Sequence, residues 1–94
     1  MKKKETLYGV VRTTEDLGRL ARVHRKNCRA TIKKISGLGN LSPRFLSEFE
    51  RGKETAEIGK ILKALHTIGL EVVIRPRHTT DSLPTFRCAQ KADD

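Results

Sequence analysis

The fold is decided by one stretch of the sequence, residues 31–52, which reads TIKKISGLGNLSPRFLSEFERG. It contains two helix-start signals, Thr31 and Ser42-Pro43, because a hydroxyl side chain caps a helix and proline is favoured at the first helical position. Between them, Gly39-Asn40 tolerates positive φ and allows a tight turn. The stretch therefore predicts two short helices joined by a tight turn, with Gly52 ending the second helix.

Helical periodicity continues on both sides of this stretch. A first helix is predicted from about Thr14 to Cys28, capped by Thr13. A fourth helix is predicted from about Ala56 to Ile68, capped by Thr55. The β-branched run that follows, residues 70–75, predicts one short strand. The expected fold is therefore all-α with a single C-terminal strand.

The predicted strand has no obvious partner in the same chain, except residues 7–11. A lone strand leaves unpaired backbone groups that a second copy of the chain can satisfy. We therefore expect a homodimer with these dimerisation residues: Leu70, Val72, Val73 and Ile74. The expected organisation is an N-terminal arm at residues 1–12, a helical domain at 13–69, the dimerisation strand at 70–76 and a flexible tail at 77–94.

The chain has a formal net charge of +9, and the charge is unevenly distributed. Residues 12–34 hold eight basic and two acidic residues, a net of +6, whereas residues 54–74 hold two basic and three acidic residues, a net of −1. This pattern favours a polyanionic partner, and a solvated basic surface is the alternative. No apolar run approaches the roughly 20 residues that span a bilayer, so we expect a cytoplasmic protein with no membrane partner.

Two short helices joined by a tight turn form a helix-turn-helix, whose second helix enters the DNA major groove with its N-terminal end. Arg44, its second residue, is suited to donate two hydrogen bonds to guanine, and Glu48 to accept one from a cytosine amino group. The predicted base-contacting residues are Ser42, Pro43, Arg44, Phe45, Ser47 and Glu48. The predicted phosphate-contacting residues are Arg22, Thr31, Lys33, Arg51 and Lys53.

Residues 13–75 resemble the XRE, lambda-repressor-like helix-turn-helix family. The resemblance rests on residues 30–36 (ATIKKIS), 40–42 (NLS) and above all 45–53 (FLSEFERGK). Residues 55–65 (TAEIGKILKAL), with Gly69-Leu70-Glu71 after them, resemble the HipB-like antitoxin branch. The resemblance implies a domain of four to five helices whose C-terminal strand pairs across a homodimer. It also implies repression of the protein's own operon at a double-stranded DNA operator, and binding of a HipA-type serine/threonine kinase toxin.

The same resemblance implies a structural salt bridge between Arg25 and Glu50. Two positions depart from the family pattern. Ile32 replaces a glutamine that commonly bonds a DNA phosphate, and isoleucine cannot make that contact. Asn40 replaces the turn glycine, and asparagine can keep the turn because it tolerates the left-handed conformation.

No enzyme is expected. The acidic residues form no separated pair suited to acid/base catalysis, and the glycines match no nucleotide-binding loop. His24 and Cys28 lack further metal ligands, and their spacing favours core packing. No cofactor, metal or small-molecule substrate is therefore expected. The alternatives to an antitoxin are a prophage or stand-alone regulator without a toxin partner, and a nonspecific basic nucleic-acid binder.

Overall fold

The computed structural model describes residues 8–77 of the chain. Residues 1–7 of the expected arm and residues 78–94 of the expected tail lie outside the described residues. Within residues 8–77 the chain forms four α-helices: α1 (Thr14–Asn27), α2 (Ile32–Gly39), α3 (Pro43–Glu50) and α4 (Ile58–Thr67). No helix in this part of the chain is both long and apolar enough to cross a membrane. The all-helical architecture agrees with the predicted helix-turn-helix domain.

Hydroxyl side chains begin the first three helices, as the sequence predicts. The caps join Thr13 Oγ1 to Asp16 N (2.9 Å), Thr31 Oγ1 to Lys34 N (3.1 Å) and Ser42 Oγ to Phe45 N (3.0 Å). Pro43 occupies the first position of α3. Each cap accepts a hydrogen bond from a backbone amide that has no partner inside the helix, which stabilises the helix start by about 1 kcal/mol.

The turn between α2 and α3 depends on Asn40, which adopts the left-handed conformation with φ 55° and ψ 47°. Its backbone N–H bonds the carbonyl of Ser36, and the N–H of Leu41 bonds the same carbonyl at 3.2 Å. Leu41 is buried beneath the turn. The prediction that asparagine supports this turn in place of glycine is confirmed.

The fourth helix begins later than predicted. Its first residue is Ile58, its N-cap is Glu57, and no side chain caps it. Thr55 lies in a turn before the helix, so its predicted capping role is wrong. Burial of Ile61 and Leu65 positions this helix, and tertiary packing therefore overrides the local start signal.

Residues 70–75 do not form the predicted strand in the single chain. Residues 70–77 have no regular secondary structure, and Val72, Val73 and Ile74 are exposed. A strand exists only when its backbone groups pair with a neighbour, and no other segment of residues 8–77 pairs with this one. Pairing across a homodimer stays a prediction.

A small core lies where the four helices meet. Its buried members are Ala21, Ile35, Leu41, Leu46, Phe49, Ile61, Ala64 and Leu65. α1 packs against α3, and α2 packs against both α3 and α4. The core therefore holds α3 from one side and leaves its other side facing outward.

α3 is also fixed by close backbone contacts with α1. A Cβ atom on Gly18 would lie 2.7 Å from the carbonyl oxygen of Glu50, so only glycine fits there. Gly52, which follows α3 with φ 90°, lies against the start of α1, where a Cβ would be 2.7 Å from Cγ of Glu15. The Thr14 hydroxyl donates to the Gly52 carbonyl at 2.8 Å. These contacts set the position of α3 relative to α1.

His24 and Cys28 do not lie in the core, contrary to the prediction. His24 is half-buried and links three segments: its Nδ1 lies 2.5 Å from the Tyr8 hydroxyl and its Nε2 lies 3.0 Å from the Ile68 carbonyl. Because a carbonyl only accepts, Nε2 is the donor in the contact with Ile68. Cys28 is exposed because α1 ends one residue before it. Among residues 8–77, no three ligand-type side chains gather as a metal site.

Candidate nucleic-acid interface

The inward face of α3 is anchored by two apolar side chains and one ion pair. Leu46 and Phe49 are buried in the core. Glu50, the last residue of α3, accepts from Arg25 of α1, with Nε–Oε2 at 2.6 Å and Nη2–Oε1 at 2.9 Å. Arg25 also donates to the Ala30 carbonyl at 2.8 Å. The structure thus brings together Arg25 and Glu50, the pair that the family resemblance implies, and its three hydrogen bonds compensate the buried charges.

The outward face of α3 carries the residues predicted to read bases. The Arg44 side chain is 87% exposed at the second position of the helix. Ser42 and Pro43 are also exposed, and Ser47 is half-buried beside them. α3 can therefore enter a groove with its capped N-terminal end first, and Arg44 is the longest side chain at that end.

Glu48 lies between two basic side chains. Its Oε2 accepts from Arg44 Nε at 3.2 Å, and its Oε1 accepts from Lys53 Nζ at 3.0 Å. The hydrogen bond from Lys53, followed by the one from Arg44, holds the pKa of the Glu48 carboxyl below its ordinary value. Glu48 is therefore a carboxylate at neutral pH, and both of its oxygens have a basic partner.

Phe45 lies at the edge of the interface. Its ring stacks on the Phe49 ring, with centroids 6.2 Å apart and an interplanar angle of 11°. Lys60 of α4 places its Nζ 5.9 Å from the Phe45 centroid, within the range of a cation–π contact. Phe45 thus packs against the core with part of its surface. Local sequence patterns could not identify Lys60, because its contact depends on how α4 packs beside α3.

The residues predicted to contact phosphates all lie at the surface. They are Arg22, Thr31, Lys33, Arg51 and Lys53, and each is exposed. Two already have side-chain partners: Arg51 donates to Ser47 Oγ at 2.9 Å, and Lys53 donates to Glu48. Ile32 is half-buried and packs against the core.

This geometry is that of a helix-turn-helix: two short helices joined by a three-residue turn, with the second capped, packed on one face and basic at its tip. A curated relative supports the assignment. The relative is an uncharacterized HTH-type transcriptional regulator, y4mF, of Sinorhizobium fredii (strain NBRC 101917 / NGR234). The two chains are 36% identical over 64 residues, and this aligned region makes up 68% of this chain and 84% of the relative. Comparison with protein-family models finds no match. The chain belongs to the HTH-type transcriptional regulators.

Proposed function

We propose that the chain is a sequence-specific DNA-binding repressor that reads its operator with α3. The observation that carries this proposal is the position of Arg44. Its side chain is 87% exposed, on a helix whose start is capped by Ser42 and whose opposite face is buried through Leu46 and Phe49. A rigid helix tip that presents arginine suits bidentate recognition of guanine O6 and N7 in the major groove.

Further contacts are proposed around Arg44. Base contacts are assigned to the neighbouring exposed and half-buried residues Ser42, Pro43, Phe45 and Ser47. Phosphate contacts are assigned to Arg22, Thr31, Lys33, Arg51 and Lys53. Phosphate contacts fix the register of a protein on DNA and supply most of the salt dependence, whereas base contacts supply the specificity.

The test is selection of binding sites from random DNA with the full chain, followed by titration of the selected site and of single-base variants. Arg44→Ala is expected to lose about 1–3 kcal/mol of discrimination at one base pair. Lys63→Ala is the matched control, because Lys63 is an exposed basic residue on α4, outside the helix-turn-helix. Uniform weakening on all sequences by Arg44→Ala would instead favour a nonspecific basic binder.

We also propose that the repressor acts as a homodimer on two half-sites about 34 Å apart, one turn of DNA. The support is the exposed apolar run after α4, in which Val73 is 69% and Ile74 is 92% exposed. Sedimentation at micromolar concentration should show a dimer that Ile74→Lys and Val72→Lys shift toward monomer. A monomer that stays monomeric on DNA would contradict the proposal.

The finer proposal is an antitoxin of a HipBA-type module, which autoregulates its operon and binds a serine/threonine kinase toxin. It rests on the resemblance of residues 55–65 and 69–71 to the HipB-like branch. Co-purification of the tagged chain from its native host, with sequencing of bound DNA and identification of bound protein, tests it. Recovery of a HipA-type kinase supports the antitoxin. Recovery of operator DNA without a kinase supports the alternative, a prophage or stand-alone regulator.

A further inference from the structure

Glu48 connects the two ends of the outward face of α3. It accepts from Arg44 at the start of the helix and from Lys53 just beyond its end, at 3.2 and 3.0 Å. The Glu48 side chain is 24% exposed, whereas that of Arg44 is 87% exposed. Glu48 is therefore the more enclosed partner, and Arg44 extends past it toward solvent.

The order of this pair is the less favourable one for helix stability. Arg44 lies at the N-terminal end of α3 and Glu48 lies four residues later. A helix is stabilised by acidic residues near its N-terminus and basic residues near its C-terminus, and an acidic residue preceding a basic one is the better order. The pair has the opposite order, so it adds less to helix stability than the reverse order would, and its effect on the Arg44 side chain is the more relevant one.

The hydrogen bond to Glu48 uses one particular donor of Arg44. Glu48 Oε2 accepts from Nε, the donor nearest the helix. The two terminal nitrogens, Nη1 and Nη2, lie at the far end of the same planar group. A pair of parallel N–H donors at the end of an arginine is the arrangement that binds guanine O6 and N7. Engagement of Nε thus restricts the orientation of the guanidinium plane and leaves free the end that would meet a base.

The contact between Glu48 and Lys53 is also compatible with Arg44 meeting a base. A lone carboxylate on this face would repel DNA phosphates and would compete with guanine for Arg44. The ammonium of Lys53 lies 3.0 Å from the second Glu48 oxygen and offsets its charge. Each Glu48 oxygen already accepts from a basic partner, and the side chain is only 24% exposed, so Glu48 is a poorer acceptor for a cytosine amino group than a free carboxylate would be.

We propose that Glu48 is a positioning residue that orients Arg44 for guanine, and that it does not itself read a base. The inference rests on the proposed function, in which Arg44 contacts guanine. Fixing the guanidinium before binding removes the rotamer entropy that a free arginine would lose in the complex. Glu48 thereby sets how strongly Arg44 discriminates between base pairs.

A double-mutant cycle on the full chain tests the inference. The variants are Glu48→Ala, Arg44→Ala and the double variant, each titrated on the selected site and on sites with the Arg44 guanine replaced. Glu48→Ala is expected to lower the preference for that guanine by about three- to tenfold, with no further loss in the Arg44→Ala background. Glu54→Ala is the matched control, since Glu54 is an exposed acidic residue in the turn after Lys53. Removal of its charge should leave the preference unchanged.

Two results would overturn the inference. Relaxed preference at a different base pair, additive with Arg44→Ala, would make Glu48 a base reader. A uniform gain in affinity on all sequences, matched by Glu54→Ala, would make it only a repulsive charge. If the unmodified chain shows no sequence preference, the proposed function fails, and with it any role of Glu48 in discrimination. Nitrogen NMR of the free protein tests the Arg44–Glu48 hydrogen bond separately from DNA binding. The Arg44 Nε–H signal should move in Glu48→Gln if that hydrogen bond forms in solution, and an unmoved signal would overturn the positioning role.

Discussion

Arg25 and Glu50 form a two-point ion pair that joins α1 to the last residue of α3. Their side chains are 9% and 7% exposed, so both charges have left water. Removing the partner of a buried charge costs about 3–5 kcal/mol, while replacing both charges by apolar groups of similar volume is often neutral. The pair therefore ties the end of α3 to α1 beside the apolar core.

The first prediction follows from the difference between removing one charge of the Arg25–Glu50 pair and replacing both. Glu50→Ala and Arg25→Ala should each destabilise the fold by about 3–5 kcal/mol, because each leaves one buried charge unpaired. The combined variant Arg25→Met/Glu50→Leu should recover most of the loss. Urea unfolding followed by circular dichroism measures the difference. Equal and additive losses, with no recovery in the double variant, would contradict a dominant role for charge burial.

A second prediction compares two glycines in helices. Gly18→Ala should destabilise by about 1–3 kcal/mol, because the new Cβ would meet the backbone carbonyl of Glu50 at 2.7 Å. Gly37→Ala in α2 is the matched control. No atom lies within 4 Å of its added Cβ, so it should stabilise by about 0.5–1 kcal/mol. Thermal unfolding of both variants should give shifts of opposite sign, and shifts of the same sign would contradict the close approach of α1 and α3.

The helix-turn-helix was predictable because its determinants are local. Thr31 and Ser42 cap helices through amides three residues away, and Asn40 takes the left-handed turn by itself. A cap or a turn residue acts within one helical turn, so a sequence pattern contains all of its partners. These residues sufficed to place α3 and to identify Arg44 at its tip.

The features that escaped prediction depend on contacts between distant segments. Thr55 looked like a cap, but burial of Ile61 starts α4 later. The backbone contact at Gly18 requires α3 to lie across α1, which no spacing in α1 reveals. The sequence offered one signal of a close helix contact: Gly18 is a small residue three positions before the buried Ala21. Pairing of Glu48 with both Arg44 and Lys53 likewise depends on how the chain beyond α3 folds back beside the helix.

A third prediction separates the contribution of Ser42 to the stability of α3 from its contribution to DNA affinity. Ser42→Ala removes the cap hydrogen bond to Phe45 N and should cost about 1 kcal/mol of stability. Ser42→Asp keeps an acceptor for that amide, so stability should be close to that of the unmodified chain. Its added negative charge faces DNA phosphates, so binding should weaken on every sequence. Circular dichroism melts and fluorescence anisotropy measure the two properties, and unchanged DNA affinity in Ser42→Asp would contradict an interface at this helix end.

A fourth prediction concerns the basic surface at the start of α2. Lys33 is exposed there, and Lys33→Gln should reduce the slope of log affinity against log salt by about 1, because one phosphate contact releases about one counterion. The loss should be similar on specific and unrelated DNA. Lys63→Gln on α4 is the control and should leave the slope unchanged. A slope change in the control as large as in Lys33→Gln would indicate net charge rather than a contact.

A fifth prediction uses the carboxylate near the start of α1. The pKa of Asp16 lies below its ordinary value, first because Arg12 N donates to it at 3.1 Å and also because Arg19 donates at 3.0 Å. A depressed pKa in the folded state contributes stability that is present above the unfolded pKa, about 3.9, and is lost as pH falls through the folded value. At pH 7, Asp16→Asn should therefore have a lower melting temperature than the unmodified chain. The two melting temperatures should converge as pH falls below about 3.9. A difference that stays constant across this range would show that the Asp16 charge does not stabilise α1.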